Sequence, residues 1–229
     1  MGTLSIDLIN LAYHNRFLAR LFHTSVHCLK EELRDCWSVL DLGCGPASPL
    51  QFCNVSYSVG VDVFEPYVRA SKTKNIHTAY IIADILNLEL APESFDAVVM
   101  VEVLEHLTRQ EGEAMLQKAE RWARKRVIVT TPNGYLPQGC MSENPYQVHR
   151  SGWSVATMRN LGYRAYGMAG LLLLRTENTA SVMEDPESIF CTLRWHPRLL
   201  WLGISQLTQL FTYYAPQWSF EVFYVRDVA

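Results

Sequence analysis

Apolar residues recur along this chain in two alternating rhythms. Leu18, Leu21, Phe22, Val26, Leu29 and Leu33 fall mostly three or four apart, the spacing of a helical face. Short apolar runs follow: SVLDLG from Ser38, YSVGVDV over 57–63, AYIIAD over 79–84, FDAVVMV over 95–101, and RVIVTTP over 126–132, stopped by its proline. Helical stretches separate them at 65–74, at 108–123 and from Ser154 to about Gly162. In the second of these, Thr108 and Glu111 have capping-box spacing ahead of Met115, Leu116 and Ala119. The last segment, SFEVFYVRD over 219–227, alternates as a closing strand does. Strands alternating with helices predict an α/β fold, with a mostly parallel sheet covered on both faces.

Length and composition narrow this picture. A chain of 229 residues, 49% hydrophobic and 19% charged, predicts one soluble globular domain. Its net charge of -3 lacks the positive excess of a phosphate-clamping protein, so nucleic acid is an unfavoured partner. The basic run from Arg121 to Arg126 reads as a solvated helix end. Six cysteines, at 28, 36, 44, 53, 140 and 191, form no CxxC pair, which predicts a reducing, cytoplasmic setting. The opening MGTLSIDLIN resembles neither a secretory signal nor a myristoylation signal.

The most lipophilic region is RLLWLGISQLTQLFTYYAP over 198–216, whose apolar run from Leu199 to Ile204 falls short of the roughly 20 residues needed to span a bilayer. An amphipathic helix packed on the core is the expectation. Peripheral membrane contact is the alternative, because Trp195, Trp201, Tyr213 and Tyr214 crowd this region.

Sheets of this kind bind ligands at the carboxyl ends of their strands, near the switch in strand order. There the first apolar run ends in VLDLGCGP, whose two glycines admit a ligand against the backbone. Asp41 precedes Gly43, Asp62 ends the second run and Asp84 ends the third. An acid after the second strand is placed to bind ribose hydroxyls, and one after the third to meet an adenine amino group. A nicotinamide-dependent dehydrogenase would use a similar loop, but Pro46 and Ser48 stand where its Gly-x-Gly-x-x-Gly pattern continues.

Taken together, VLDLGCGP, GVDVFEP, Asp84 with Ile85, and FDAVVMVEVLEHL resemble successive motifs of class I S-adenosylmethionine-dependent methyltransferases, from about Ser38 to Asn133. The resemblance implies a Rossmann-like sheet of seven strands, the last antiparallel, in a single domain over 1–229. It implies S-adenosylmethionine as cofactor and S-adenosylhomocysteine as product. Carried over by position, Asp41, Gly43 and Gly45 would hold the methionine part, Asp62 the ribose, and Asp84 with Ile85 the adenine, flanked by Phe64. Residues 1–37 form a helical segment in which Tyr13 and His14 are candidate lid residues, and 170–218 an apolar elaboration before the final strand.

Methyl transfer needs an aligned nucleophile and, for some acceptors, a base. Glu102, Glu105 and His106 follow the fourth strand, beside the expected methyl group; Glu102, His106 and His149 are the catalytic candidates. The loop after the fifth strand offers Asn133, Tyr135, Tyr146 and His149 as substrate contacts. No metal is expected. The alternative is a divalent ion on Glu102, Glu105, His106 and His149, a pattern shared with small-RNA 2′-O-methyltransferases. The expected acceptor is a small or lipid-like molecule, and a homodimer is a candidate assembly. A catalytically silent cofactor-binding subunit of a complex is the reading from another class.

Overall fold

The computed structural model describes residues 15–138, 144–175 and 193–228. Tyr13, His14, Cys140, Cys191 and the 176–192 part of the elaboration lie outside these described residues. The apolar face read over 18–33 is divided between two helices, α1 (Arg16–Leu21) and α2 (Ser25–Glu32). The break falls at His23, whose φ of 48° is left-handed. Each helix has its own N-cap: the Asn15 side chain accepts from the Phe17 and Leu18 amides, and Thr24 accepts from His27.

The strands are β1 (Ser38–Leu42), β2 (Tyr57–Asp62), β3 (Ala79–Ile82), β4 (Phe95–Val101), β5 (Ala123–Pro132), β6 (Arg164–Leu171) and β7 (Ser219–Asp227). Between them run α3 (Glu65–Thr73), α4 (Arg109–Trp122), α5 (Val155–Asn160) and α6 (Arg198–Thr212). They form one seven-stranded sheet in the order β3-β2-β1-β4-β5-β7-β6, with β7 antiparallel to both neighbours. The expected capping box is present: Thr108 accepts from the Glu111 amide while the Glu111 carboxylate accepts from the Thr108 amide.

Period-two alternation sends neighbouring side chains to opposite faces of the sheet. Leu40, Val98, Met100, Val127, Val129 and Tyr224 meet Met115, Leu116, Ala119 and Trp122 of α4 on one face. Val39, Ala97, Val99, Ile128 and Phe223 meet Cys28 and Leu29 of α2, and Leu33 at its C-cap, on the other. The central strands are therefore buried on both sides, which is why they read as unbroken apolar runs. Cys28, Cys36, Cys44 and Cys53 are free thiols.

β6 is the strand that hydropathy did not mark, because glycines at 167 and 170 interrupt it. Close packing against α6 requires the first of them: a Cβ on Gly167 would lie 2.1 Å from the Thr212 carbonyl oxygen. Chain order carries β1 outward to β2 and β3, then back to β4 on the other side of β1. The switch in strand order lies between β1 and β4, and the candidate site opens there.

Candidate functional site

The carboxyl ends of the central strands open on a cavity of about 1090 Å³. Its lining runs from Gly43, Gly45, Asp62, Asp84 and Ile85 to Glu102, Glu105, His106, Tyr146 and His149. Single-ligand pockets commonly enclose about 300–1,000 Å³, so this one has room for a cofactor and an acceptor side by side.

The two loop glycines have different duties. Gly43 has a φ of 68° and packs under Val103; a Cβ there would lie 2.6 Å from a Val103 methyl. Gly45 has a φ of 56°, and nothing lies within 4 Å of the position its Cβ would take. Gly45 is thus the open cradle, and its amide donates to Asp62 Oδ2 at 2.9 Å. The other carboxylate oxygen of Asp62 accepts from the Phe64 amide at 2.8 Å, which joins the glycine loop to the start of α3. Asp84 caps the next turn by accepting from the Leu86 amide at 2.9 Å, and Ile85 is buried beside it. An open glycine cradle, a strand-end acid on each of two neighbouring strands and an apolar side chain next to the second fit a ribosylated adenine with an attached chain.

Two of the expected cofactor contacts lie elsewhere. Asp41 is 1% exposed and lies beneath the loop, outside the cavity lining. It accepts from Ser48 Oγ at 2.5 Å and sits 3.3 Å from His77 Nε2. Burial pushes the Asp41 carboxyl up to about 7 and the His77 imidazole down to about 4. The pair buttresses the loop from below. Phe64 packs edge-on against Tyr67, with ring centroids 4.9 Å apart, and Tyr67 is the ring that lines the cavity. Its place one turn into α3 was the only sequence signal for it.

At the far end of the cavity the chain leaves β4 through Glu102, whose φ of 54° is left-handed and costs a non-glycine residue about 1–2 kcal/mol. Thr130 Oγ1 donates to Glu102 Oε1 at 2.8 Å. Glu105 is 2% exposed, and neither of its carboxylate oxygens has a hydrogen-bond partner beyond the Glu102 carboxyl. Burial, helped by Glu221 and opposed by a hydrogen bond from Glu102, pushes Glu105 up to about 8; burial with the charges of Glu105 and Glu221 pushes Glu102 well above the usual carboxylate range. Glu221 of β7 joins this group; sequence reasoning missed it, since it reads there only as the polar position of an alternating strand.

The loop bearing His149 is fastened to this turn through its backbone. The amides of Arg150 and Ser151 both donate to the Glu105 carbonyl, at 2.7 and 3.1 Å, and Trp153 Nε1 donates to the Leu104 carbonyl. His106 and His149 then face each other with ring centroids 4.9 Å apart. Each has its Nδ1 against a carbonyl oxygen, Val148 at 3.3 Å and Leu136 at 2.6 Å. A carbonyl only accepts, so both Nδ1 atoms carry the proton and both Nε2 atoms present lone pairs. Burial lowers both imidazoles, His106 to about 4, which keeps them neutral near pH 7. Ligand atoms of Glu105, His106 and His149 lie within 4.8 Å of one another; Glu102 is not of that trio, its carboxyl accepting from Thr130 and lying against Glu105.

The other proposed substrate contacts divide. Tyr146 lines the cavity. Asn133 Nδ2 donates to the carbonyls of Pro216, Gln217 and Ser219, so it ties the loop to the approach to β7. The Tyr135 hydroxyl donates to the His149 carbonyl at 3.4 Å, and its ring lies outside the cavity. Arg175, Thr130 and Gln209 line the cavity without having been singled out by sequence.

A family model described as a methyltransferase domain matches residues 40–130, the stretch that carries the loop, Asp62, Asp84 and the Glu-His turn. Residues 40–130 are similar to that domain, and the sheet that carries them has the class I methyltransferase fold. Among curated relatives of that domain, (S)-coclaurine N-methyltransferase of Thalictrum flavum subsp. glaucum is 24% identical over 115 residues, covering 47% of this chain and 31% of its own length. The chain spans about a third or less of the curated relatives it matches. An S-adenosylmethionine-dependent methyltransferase from Archaeoglobus fulgidus has a similar structure, with a TM-score of 0.52 at 17% identity over 93% of this chain and 99% of that one. Coclaurine N-methyltransferase bound to N-methylheliamine and S-adenosylhomocysteine gives a TM-score of 0.53 at 15% identity, over 88% of this chain and 71% of that one.

Proposed function

We propose that this protein transfers a methyl group from S-adenosylmethionine to a small or lipid-like acceptor carrying a nitrogen or oxygen nucleophile. The observation that carries the reading is the single cavity, with a nucleoside-type cradle at one end and a histidine pair among buried carboxyls at the other. S-adenosylmethionine supplies an electrophilic methyl on a sulfonium, so the chain's own work is to bind, align and deprotonate. Gly45 leaves the backbone open to the methionine part, Asp62 accepts from the ribose, and Asp84 with Ile85 holds the adenine. Tyr146 borders the acceptor. His106 or His149 takes the acceptor's proton at Nε2, the nitrogen that the backbone carbonyls leave free.

The acid lining favours an amine. Glu102, Glu105 and Glu221 gather where the acceptor would sit; burial holds them protonated, and an ammonium group entering among them would draw a proton off and leave a carboxylate to pair with it. The amine attacks as its neutral form, and the imidazole Nε2 takes the proton that the nitrogen sheds once it is methylated.

Calorimetric titration with S-adenosylmethionine and S-adenosylhomocysteine, with NAD as control, tests the cofactor half. Saturable binding of the first two, weakened in Asp62→Ala, is expected; binding of NAD alone would replace this reading with a dehydrogenase. For the acceptor half, His149→Ala should keep cofactor affinity while turnover falls about 10²–10⁴-fold. Activity lost on chelation and restored by a divalent cation would recast Glu105, His106 and His149 as metal ligands instead of a base.

A further inference from the structure

α6 is amphipathic in the reverse sense. Its buried positions are Leu202, Ser205, Gln209 and Thr212, three of them polar. Its outward positions, continued one turn past the helix end, are Leu199, Leu200, Leu207, Leu210, Phe211 and Tyr214, 39–75% exposed. At about 100° per residue these six fall within an arc of about 120°, directly opposite the buried stripe. A helix on a water-facing surface shows the opposite arrangement.

The helix is held in this orientation by its polar side chains. Gln209 Nε2 donates to the Gly167 carbonyl at 2.8 Å, and its Oε1 accepts from the Gly170 amide at 2.9 Å. Ser205 Oγ donates to the Ala169 carbonyl, and Thr208 Oγ1 accepts from the Leu171 amide. These bonds satisfy backbone groups of β6 where its pairing with β7 shifts register between Met168 and Leu171. Rolling the helix to bury its leucines would orphan them all.

The surroundings say what covers the apolar stripe. No Asp or Glu occurs over 193–218, which carries Arg194 and Arg198, nor over 15–30, which carries Arg16, Arg20 and Lys30, in a chain whose net charge is -3. The two segments touch: the His23 ring stacks on Tyr213 with centroids 4.0 Å apart. α1, which precedes His23 in the chain, carries the exposed Phe17 and Leu21. Aromatic rings stand at both ends of α6, with Trp195 against Trp201 at one and Tyr214 and Trp218 at the other. Glu31 and Glu32 line a pocket beside the His23–Tyr213 contact; arginines on the two segments, with Trp and Tyr flanking a leucine-rich stripe, are the chemistry of the bilayer interface.

We infer that the outer face of α6, extended by α1, docks this protein on an anionic lipid surface. The helix lies in the headgroup plane with Leu207 and Phe211 in the acyl boundary and the arginines on lipid phosphates. Its inner face meanwhile supplies Gln206 and Gln209 to the cavity wall, so the docked face and the site share one helix.

Flotation of the full chain with phosphatidylcholine vesicles, with and without phosphatidylserine, tests this, alongside light scattering and thermal unfolding of the protein alone. The wild type should float with the phosphatidylserine vesicles, less so as salt rises. Leu207→Asp/Phe211→Asp should lower partitioning about tenfold or more with the melting temperature unchanged. Arg194→Glu/Arg198→Glu should abolish the preference for phosphatidylserine. Three outcomes overturn the inference: no flotation with either vesicle; a dimer in solution that Leu207→Asp/Phe211→Asp dissociates, which puts a second copy on the face; or a clear fall in melting temperature in that variant, which puts another part of this chain there. Cofactor calorimetry is a separate readout, so the inference and the proposed function can fail independently.

Discussion

Valine at position 43 would put a branched side chain where Val103 already sits, at a φ of 68°. We expect Gly43→Val to lose about 3 kcal/mol or more of stability, from the left-handed strain and the overpacking together. Asparagine at position 45 tests the other glycine. It tolerates a left-handed φ, so Gly45→Asn should unfold at nearly the same denaturant concentration while cofactor affinity falls at least about tenfold in calorimetry. Equal effects of the two substitutions on stability would remove the distinction drawn between packing glycine and open cradle. The glycine pair was legible because no side chain hides its signature. Which glycine is packed and which is open was not, since that depends on Val103, sixty residues further along the chain. Asp41 shows the same limit: its spacing from Gly43 marks a cofactor contact, yet the buried partners Ser48 and His77 claim it.

Among the elements, β1, β2, β4 and β5 were readable because burial on both faces writes them as apolar runs. β6 was not, because its glycines answer a demand from α6, an element lying beyond it in the chain. α6 itself was expected to pack its apolar stripe on the core, and it packs the opposite stripe. A helical period announces two faces without saying which one turns inward; here the hydrogen bonds to the register shift of β6 decide. Gly167→Val should therefore separate helix from strand, since its Cβ would meet the Thr212 carbonyl and Ser219. A loss of about 1–3 kcal/mol in denaturant unfolding is expected, with hydrogen exchange rising first in α6.

Across the whole molecule, buried acids and buried imidazoles pull stability in opposite directions with pH. Glu105 and Asp41 bind their protons more tightly when folded, at about 8 and about 7 against ordinary values of 4.5 and 3.8, so their contributions are lost as pH rises through those values. His106 and His77 bind protons less tightly when folded, both at about 4 against 6.5, so their contributions are lost as pH falls through about 4. The two trends offset each other in mildly acidic solution. Above about 6.5 the acids act alone, and unfolding free energy should drop by about 1 kcal/mol or more per pH unit up to about 8. Glu105→Gln should flatten that slope. Turnover offers a parallel check. A base with the lowered pKa of His106 or His149 gives a rate that is level through neutral pH; a rate climbing to a plateau above about 8 would assign the base to Glu105 instead.

The two amides that fasten the 149–151 stretch to the Glu105 carbonyl are main-chain groups, present whatever side chains stand there. The segment after β5 can therefore be rewritten at Leu136, Gln138, Pro145, Tyr146 and Gln147, all of them cavity-lining, without unfastening His149 from the Glu-His turn. That makes it the natural cassette for redirecting this scaffold to new acceptors. A library randomised at those five positions should yield mostly folded, cofactor-competent variants, with selectivity as the property that varies.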